Sequence, residues 1–318
     1  MQTINISKKR FESLKKYQIP NYVFNTEGII YELPIKNKWT HQMKLLKRLY
    51  LTNGVTFGNK LQTINSLIDN KDKLNIEEIV FPEKIAIVDS EIVGFIMPLI
   101  ESINLSTALN SDKISNERKI KYLKQIGELL EKMKIKREYT EINDFYINDL
   151  HESNFIVDTK TDSIKAIDID SCKINGNLIF PSKYLSPKSF VNEICKYQKS
   201  KDNTIFKYRT YDREKYKYST DSSMTFIPDE NTDLYCYIIV IINFLYGSNI
   251  QNFTLEEFYD YLEYLKDIGI DLELIQYFEN IVSNSPNENP YELLDSLIPY
   301  IGRSNHHVYS YIKNKSSK

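Results

Sequence analysis

Short runs of alternating apolar and polar residues mark the first third of the chain: Tyr22–Phe24, Ile29–Leu33, Gln42–Leu46, Lys84–Val88 and Ile92–Met97. Successive side chains of a strand point to opposite faces, so these runs predict strands, joined by turns such as Asn25-Thr26-Glu27-Gly28 and Asp89-Ser90-Glu91. Between the third and fourth runs the period changes. Leu61, Ile64, Leu67 and Ile68 fall at helical spacing and predict a helix over Gly58–Asp69. From Ser115 a longer helical pattern begins, with Ile120, Leu123, Ile126, Leu129, Leu130 and Met133 on one face. Ser115 or Asn116 can cap it, with Glu117 in its first turn. Two strand-like runs follow, Phe155–Val157 and Ile164–Ile167, across a polar turn. The remainder predicts helices over Leu234–Leu245, Leu255–Leu265, Leu272–Val282 and Tyr291–Ile301. A small sheet interrupted by one helix and followed by a helical remainder predicts an α+β fold.

Composition narrows the class. The chain has 318 residues, 42% of them hydrophobic and 26% charged, with 41 Lys+Arg against 43 Asp+Glu and a formal net charge of −2. That excludes a disordered tail, a collagen-like fibre and a strongly basic nucleic-acid binder. Single cores stop growing at roughly 250–300 residues, so two lobes are the expectation. Cys172, Cys195 and Cys236 lie far apart and match neither a disulfide framework nor the paired spacing of a zinc site, which points to the cytoplasm. No apolar stretch follows the basic residues of MQTINISKKRFESLKK, so no signal peptide is expected. The longest apolar run, Tyr235–Tyr246, falls short of the about 20 residues that span a bilayer; it predicts a buried helix, and no membrane partner is expected. Abundant Lys, Asn, Ile and Tyr suggest an AT-rich coding genome, consistent with a bacterial or phage origin.

The sharpest local pattern is Asn148-Asp149-Leu150-His151-Glu152-Ser153-Asn154, followed by a strand and then Ile167-Asp168-Ile169-Asp170. Two readings fit it. Carboxylate and amide oxygens converging at one loop edge suit Mg²⁺, a hard cation that leaves part of its shell to substrate phosphates, and a further acid can take a proton from an attacking hydroxyl. Alternatively, Asp149 and Asn154 close a turn through side-chain-to-backbone bonds, and the acids at 168 and 170 solvate a strand end.

In context, the order of motifs resembles the protein-kinase-like superfamily. Asp149-Leu150-His151-Glu152-Ser153-Asn154 looks like the catalytic loop D-L-K-x-x-N, with histidine where aminoglycoside-phosphotransferase-like kinases often carry it. Ile164–Asp170 is similar to the strand entering D-F-G, and Gly94–Glu101 resembles the strand and hinge that hold adenine. Thr232–Gly247 resembles the buried helix whose first acid, here Asp233, anchors the catalytic loop. Ser285–Leu294 resembles the segment D-P-x-x-R-P before the last helix. The resemblance covers residues 22 to 300. It implies a bilobal protein-kinase-like fold: an N-lobe with an antiparallel sheet and one helix over residues 1–97, a hinge over 98–104, and a helical C-lobe over 105–318 carrying an insertion near 189–230. It implies ATP and Mg²⁺ as cofactors, with Asp149, His151 and Lys44 catalytic, Gly28, Lys44, Met97 and Leu99 against the nucleotide, and Asn154 and Asp168 on the metal. Lys44 follows Gly28 by 16 residues, close to the family's spacing, with Lys36 and Lys47 as fallbacks.

Several positions depart from the family. The glycine-rich loop shrinks to Asn25-Thr26-Glu27-Gly28, and Thr56–Asn70 holds no glutamate, which leaves Gln62, Asn65 or no side chain to hold the lysine. Asn148 replaces the arginine that would clamp an activation-loop phosphate. Tyr184-Leu185-Ser186-Pro187-Lys188 resembles the end of the activation segment, but Lys188 and Asn289 stand where an ion-paired glutamate and arginine belong. Losing both halves of a buried pair is close to neutral, whereas losing one costs about 3–5 kcal/mol, which favours the alignment.

The stretch Lys201–Ser223, crowded with Lys, Arg, Tyr, Ser and Thr, is expected as an exposed loop or insertion. Its Lys207, Arg209, Arg213, Lys215 and Lys217, interleaved with tyrosines, could grip single-stranded nucleic acid. A solvated insertion suits the near-neutral charge better, so a nucleic-acid partner is not expected. His306 and His307 read as surface residues. The resemblance implies phosphoryl transfer to Ser/Thr of a protein substrate, with self-association for trans-autophosphorylation of the Lys201–Ser223 hydroxyls. The alternatives are a small-molecule phosphotransferase, suggested by His151, and a non-catalytic pseudokinase, suggested by the reduced glycine loop.

Overall fold

The computed structural model describes residues 2–19, 28–33, 43–49, 54–176, 206–212, 217–224, 230–248, 250, 253, 255–283 and 288–302. The run Tyr22–Phe24, the turn residues Asn25 to Glu27, Lys36, the segment Tyr184–Lys188, Cys195, Ser285 to Asn287 and the pair His306 and His307 lie outside the described residues. The protein is mixed α and β. It divides into two compact units, one of Met1–Ile103, Lys136–Phe145 and Ile156–Ile179, the other of Asn104–Ile135, Tyr146–Phe155 and Phe180–Lys318.

The first unit is built on a five-stranded sheet of β1 (Thr3–Asn5), β2 (Gly28–Leu33), β3 (Lys44–Leu49), β4 (Lys84–Val88) and β5 (Glu91–Pro98), in the order β1-β4-β5-β3-β2. Every pairing is antiparallel except that of β1 with β4, which is parallel. Each face of the sheet is covered. On one face, Ile6 and Leu14 from the N-terminal segment, which carries helix α1 (Lys8–Ser13), pack with Tyr31, Leu33, Leu46, Ala86, Val88 and Ile96. On the other, helix α2 (Gly54–Leu74) lays Ile64 and Ile68 against Leu49, Ile85, Phe95 and Met97. Helix α2 extends beyond the predicted Gly58–Asp69 at both ends.

After β5 come β6 (Ser102–Asn104), within the stretch expected as a hinge, α3 (Leu105–Leu109) and α4 (Asn116–Tyr139). A hairpin of β7 (Phe155–Asp158) and β8 (Ser163–Ala166) then joins β6 in a three-stranded sheet. The end of β8 is tied down within the first unit, where the Val80 N–H donates to the Ala166 carbonyl at 2.9 Å and the Ala166 N–H to the Glu78 carbonyl at 2.7 Å. That anchor fixes where the chain delivers residues 167 to 170.

In the second unit, helix α5 (Glu230–Tyr246) is buried on all sides from Thr232 to Ile242, as its continuous apolar run requires. The Tyr237 hydroxyl donates to the Leu123 carbonyl of α4 at 2.8 Å. Helices α6 (Leu255–Asp267) and α7 (Leu272–Ser283) complete the helical set, and Pro290–Tyr300 forms 3₁₀ turns in place of the expected α-helix. Asn289, which stands where an arginine was expected, donates to the Gly127 carbonyl at 2.8 Å and to Glu131 at 3.0 Å. The stretch expected as an exposed loop contains an antiparallel hairpin of β9 (Phe206–Asp212) and β10 (Lys217–Met224), a conformation suited to its Tyr and Thr content. Among the described residues no helix is long and apolar enough to cross a membrane.

Candidate functional site

Strand β3 decides which lysine meets the hairpin acids. Lys44 and Lys47 are three residues apart, so a two-residue period places them on opposite faces. Lys47 pairs in register with Phe95 of β5 and lies on the α2 side, with its side chain only 8% exposed. There its ammonium contacts Asp168 Oδ1 and lies 3.1 Å from each oxygen of Asp170. Lys44, the residue favoured by spacing, instead pairs with Glu83 at 2.5 Å. The structure therefore gives the contact with Asp168 to Lys47 and not to Lys44.

Asp168 and Asp170 sit differently although only one residue separates them. Asp168 adopts a left-handed backbone (φ 57°, ψ 34°), a conformation Asp tolerates better than most residues, and this turns the chain into a 3₁₀ turn over Ile169–Ser171. The Asp168 side chain stays 44% exposed, whereas that of Asp170 is 2% exposed. Lys60 of α2 reaches Asp170 Oδ2 at 3.0 Å, so a buried carboxylate lies between two buried ammonium groups. Burial alone would drive Lys47 toward its neutral form, but the carboxylates of Asp168 and Asp170 more than offset it and hold the lysine above its ordinary range. Burial alone would raise Asp170, but Lys47 and Lys60 hold its carboxyl well below the usual carboxylate range. All four residues belong to the first unit.

In the second unit, the loop before β7 is shaped by Asp233 at the start of α5. Its two carboxylate oxygens accept from the N–H groups of Ile147 and Asn148, both at 2.8 Å. Asn148 is fully buried with φ 65°, a left-handed position that asparagine occupies readily. Asn154 Nδ2 donates to the Asp149 carbonyl at 2.9 Å and to Asp149 Oδ2 at 3.3 Å, which leaves the amide oxygen as the atom Asn154 could offer a cation. His151 Nδ1 accepts from the Ser153 N–H at 3.2 Å, so the neutral ring carries its proton on Nε2, 3.7 Å from Asp149 Oδ2. A 30% exposed carboxylate that accepts from the Asn154 amide at 3.3 Å, with the imidazole 3.7 Å away, can accept a proton.

The remaining expected residues fall in the first unit. Met97 is buried on the same sheet face as Lys47. The Leu99 N–H donates to the Met43 carbonyl at 2.8 Å, so Leu99 has only its own carbonyl to offer a base. Gly28 opens β2 beside β3, where an added Cβ would stand 2.2 Å from the Arg48 carbonyl oxygen. Close strand packing accounts for this glycine without any ligand. Gly28→Ala is expected to lower stability by about 1–3 kcal/mol through overpacking, read as an earlier midpoint in urea. An unchanged midpoint would show that β2 can draw away from β3.

Sequence reasoning missed Lys60 and set Asp170 aside. A signal for Lys60 was present, since Lys60, Ile64, Leu67 and Ile68 share one helical face and a lysine on that face needs a counter-charge. Gln62, one of the alternatives left open for holding the lysine, is exposed. No protein-family model matches the chain, and no curated protein matches it.

Proposed function

We propose that the chain is a bilobal protein-kinase-like enzyme that transfers the γ-phosphoryl group of ATP to Ser or Thr hydroxyls of a protein, its own chain included. The observation that carries the reading is the contact of buried Lys47 with the exposed carboxylate of Asp168, joining a sheet lysine to a hairpin acid far along the sequence. In this reading Lys47, in place of Lys44, binds the nucleotide phosphates, and Met97 and the Leu99 carbonyl face adenine. Asp168 and the Asn154 amide oxygen are hard oxygen donors of the kind magnesium takes. The metal, when bound, neutralises charge on the phosphates. Asp149 accepts the proton of the attacking hydroxyl as its oxygen bonds to the γ-phosphorus and the bond to the β–γ bridging oxygen breaks. Asn154 keeps the Asp149 carboxylate turned for that transfer, with His151 beside it. Lys47, Asp149, Asn154 and Asp168 together supply the cation, base and oxygen donors that phosphoryl transfer needs, which a non-catalytic binding module would not require.

Incubation of the purified chain with γ-labelled ATP and Mg²⁺, beside Asp149→Ala, tests the proposal. Label is expected on Ser or Thr of the wild-type protein and is expected to fall by at least about a hundredfold in Asp149→Ala. ATP turnover that needs a small acceptor would make the chain a small-molecule phosphotransferase. Absence of both label and turnover would overturn the enzymatic reading.

A further inference from the structure

We infer that Asp170 is the positioning residue for Lys47 and that Lys60 of α2 locks Asp170 in place, so that the helix contributes a cation and the turn after β8 contributes the carboxylate. The inference rests on the phosphate-binding role proposed for Lys47. Of the two acids Lys47 touches, Asp168 is open to solvent and can turn toward an incoming cation, whereas Asp170 is sealed and presents both oxygens at 3.1 Å. Among the described residues, Asp170 is the acid that can keep the ammonium in place when Asp168 is engaged elsewhere.

Charge balance gives Lys60 its part. With Lys60 at 3.0 Å, Lys47, Lys60, Asp168 and Asp170 are two cations and two anions. A buried Asp170 facing Lys47 alone would lose its full compensation once Lys47 turned to a phosphate, and uncompensated buried charge is costly. Lys60 supplies a permanent counter-charge, leaving Lys47 free to serve an anion. The 3₁₀ turn that carries Asp170 is closed by the Cys172 N–H on the Ile169 carbonyl at 3.0 Å, and it packs against α2. The position of α2 therefore sets the position of Lys47 through two ion pairs. The helix does for this lysine what a helix carboxylate would do directly.

Two measurements test the inference and separate it from the proposed activity. In the nucleotide-free protein, acetic anhydride labelling of lysines is mapped by mass spectrometry. Lys47 is expected to label about tenfold faster in Asp170→Asn than in wild type and to stay protected in Asp170→Glu. Asp170→Asn leaves two lysines short of a partner and can fail to fold, so Lys60→Met/Asp170→Asn, which removes both halves of one pair, is measured beside it. The double variant is expected to keep the wild-type circular dichroism and melting behaviour and still label Lys47 about tenfold faster. In phosphoryl transfer the same double variant is expected to lose about a hundredfold in kcat with a much smaller change in KM for ATP, and Asp170→Glu to recover most of it. Unchanged Lys47 labelling in the folded double variant overturns the inference whatever the kinetics. Unchanged kcat in a chain whose wild type transfers phosphate overturns it as well. A wild type with no transfer overturns the proposed activity instead, and the labelling alone then decides the clamp.

Discussion

Asp168→Asn is expected to lower the proposed phosphoryl transfer from ATP by about a thousandfold while leaving the protein within about 1 kcal/mol of wild-type stability. The two halves of this expectation come from the same geometry. Asp168 is the half-exposed member of the acid pair, and the lysine it contacts also keeps both oxygens of Asp170. Removing its charge leaves the buried Lys47 paired with Asp170, so folding is little affected. For chemistry the exposed carboxylate is the atom set a metal would use, and asparagine keeps the shape while losing the charge. The backbone supports the same choice of substitution, because asparagine accepts the left-handed φ of 57° found there. Asp170→Asn is the natural contrast, with its main cost in stability because the group is sealed. Initial rates with labelled ATP and a urea melt on both variants give the answer. A fully active Asp168→Asn beside a folded, inactive Asp170→Asn would exchange the roles of the two acids.

Asp233→Ala is expected to cost about 3–5 kcal/mol of stability and to remove activity with it. The carboxylate of Asp233 satisfies two buried backbone donors, Ile147 N–H and Asn148 N–H, each at 2.8 Å. Alanine would leave both without that acceptor, and an orphaned buried donor costs about 1–3 kcal/mol. The loss would fall on the loop that presents Asp149, since Asn148 already holds a left-handed φ of 65° that the two bonds help maintain. Asp233→Asn keeps one acceptor oxygen and should show roughly half the effect. Urea unfolding gives the magnitude, and amide hydrogen exchange gives the place: Ile147 and Asn148 should lose protection before the core of α5 does. Wild-type exchange at those two amides in Asp233→Ala would show that the loop is held by other contacts.

The sequence by itself determined most of the elements and the grouping of Asp149, His151 and Asn154 in the candidate site. Helices α4, α6 and α7 follow from hydrophobic period because each buries one face, α5 because it buries its whole circumference, and strands β2, β4 and β5 follow from short apolar-rich runs of strand length. Asp149, His151 and Asn154 were legible together because they lie within a single turn, where spacing is already geometry. The N-terminal strand β1, only Thr3–Asn5, was not legible, since three residues carry no period and its pairing with β4 is a long-range parallel contact. What only the tertiary structure decided is the choice of lysine and its holder. Strand β3 reads Lys-Leu-Leu-Lys-Arg-Leu with apolar residues on both faces, because α2 covers one face and the N-terminal segment the other. A strand buried on both sides loses the alternation that would tell its faces apart. Spacing from Gly28 therefore pointed to Lys44, and only the register with β5 and the packing of α2 put Lys47 on the side of Asp168. The contact of Lys60 with Asp170 joins a helix to a turn more than a hundred residues later, a partnership fixed by where two elements pack and written in neither segment alone.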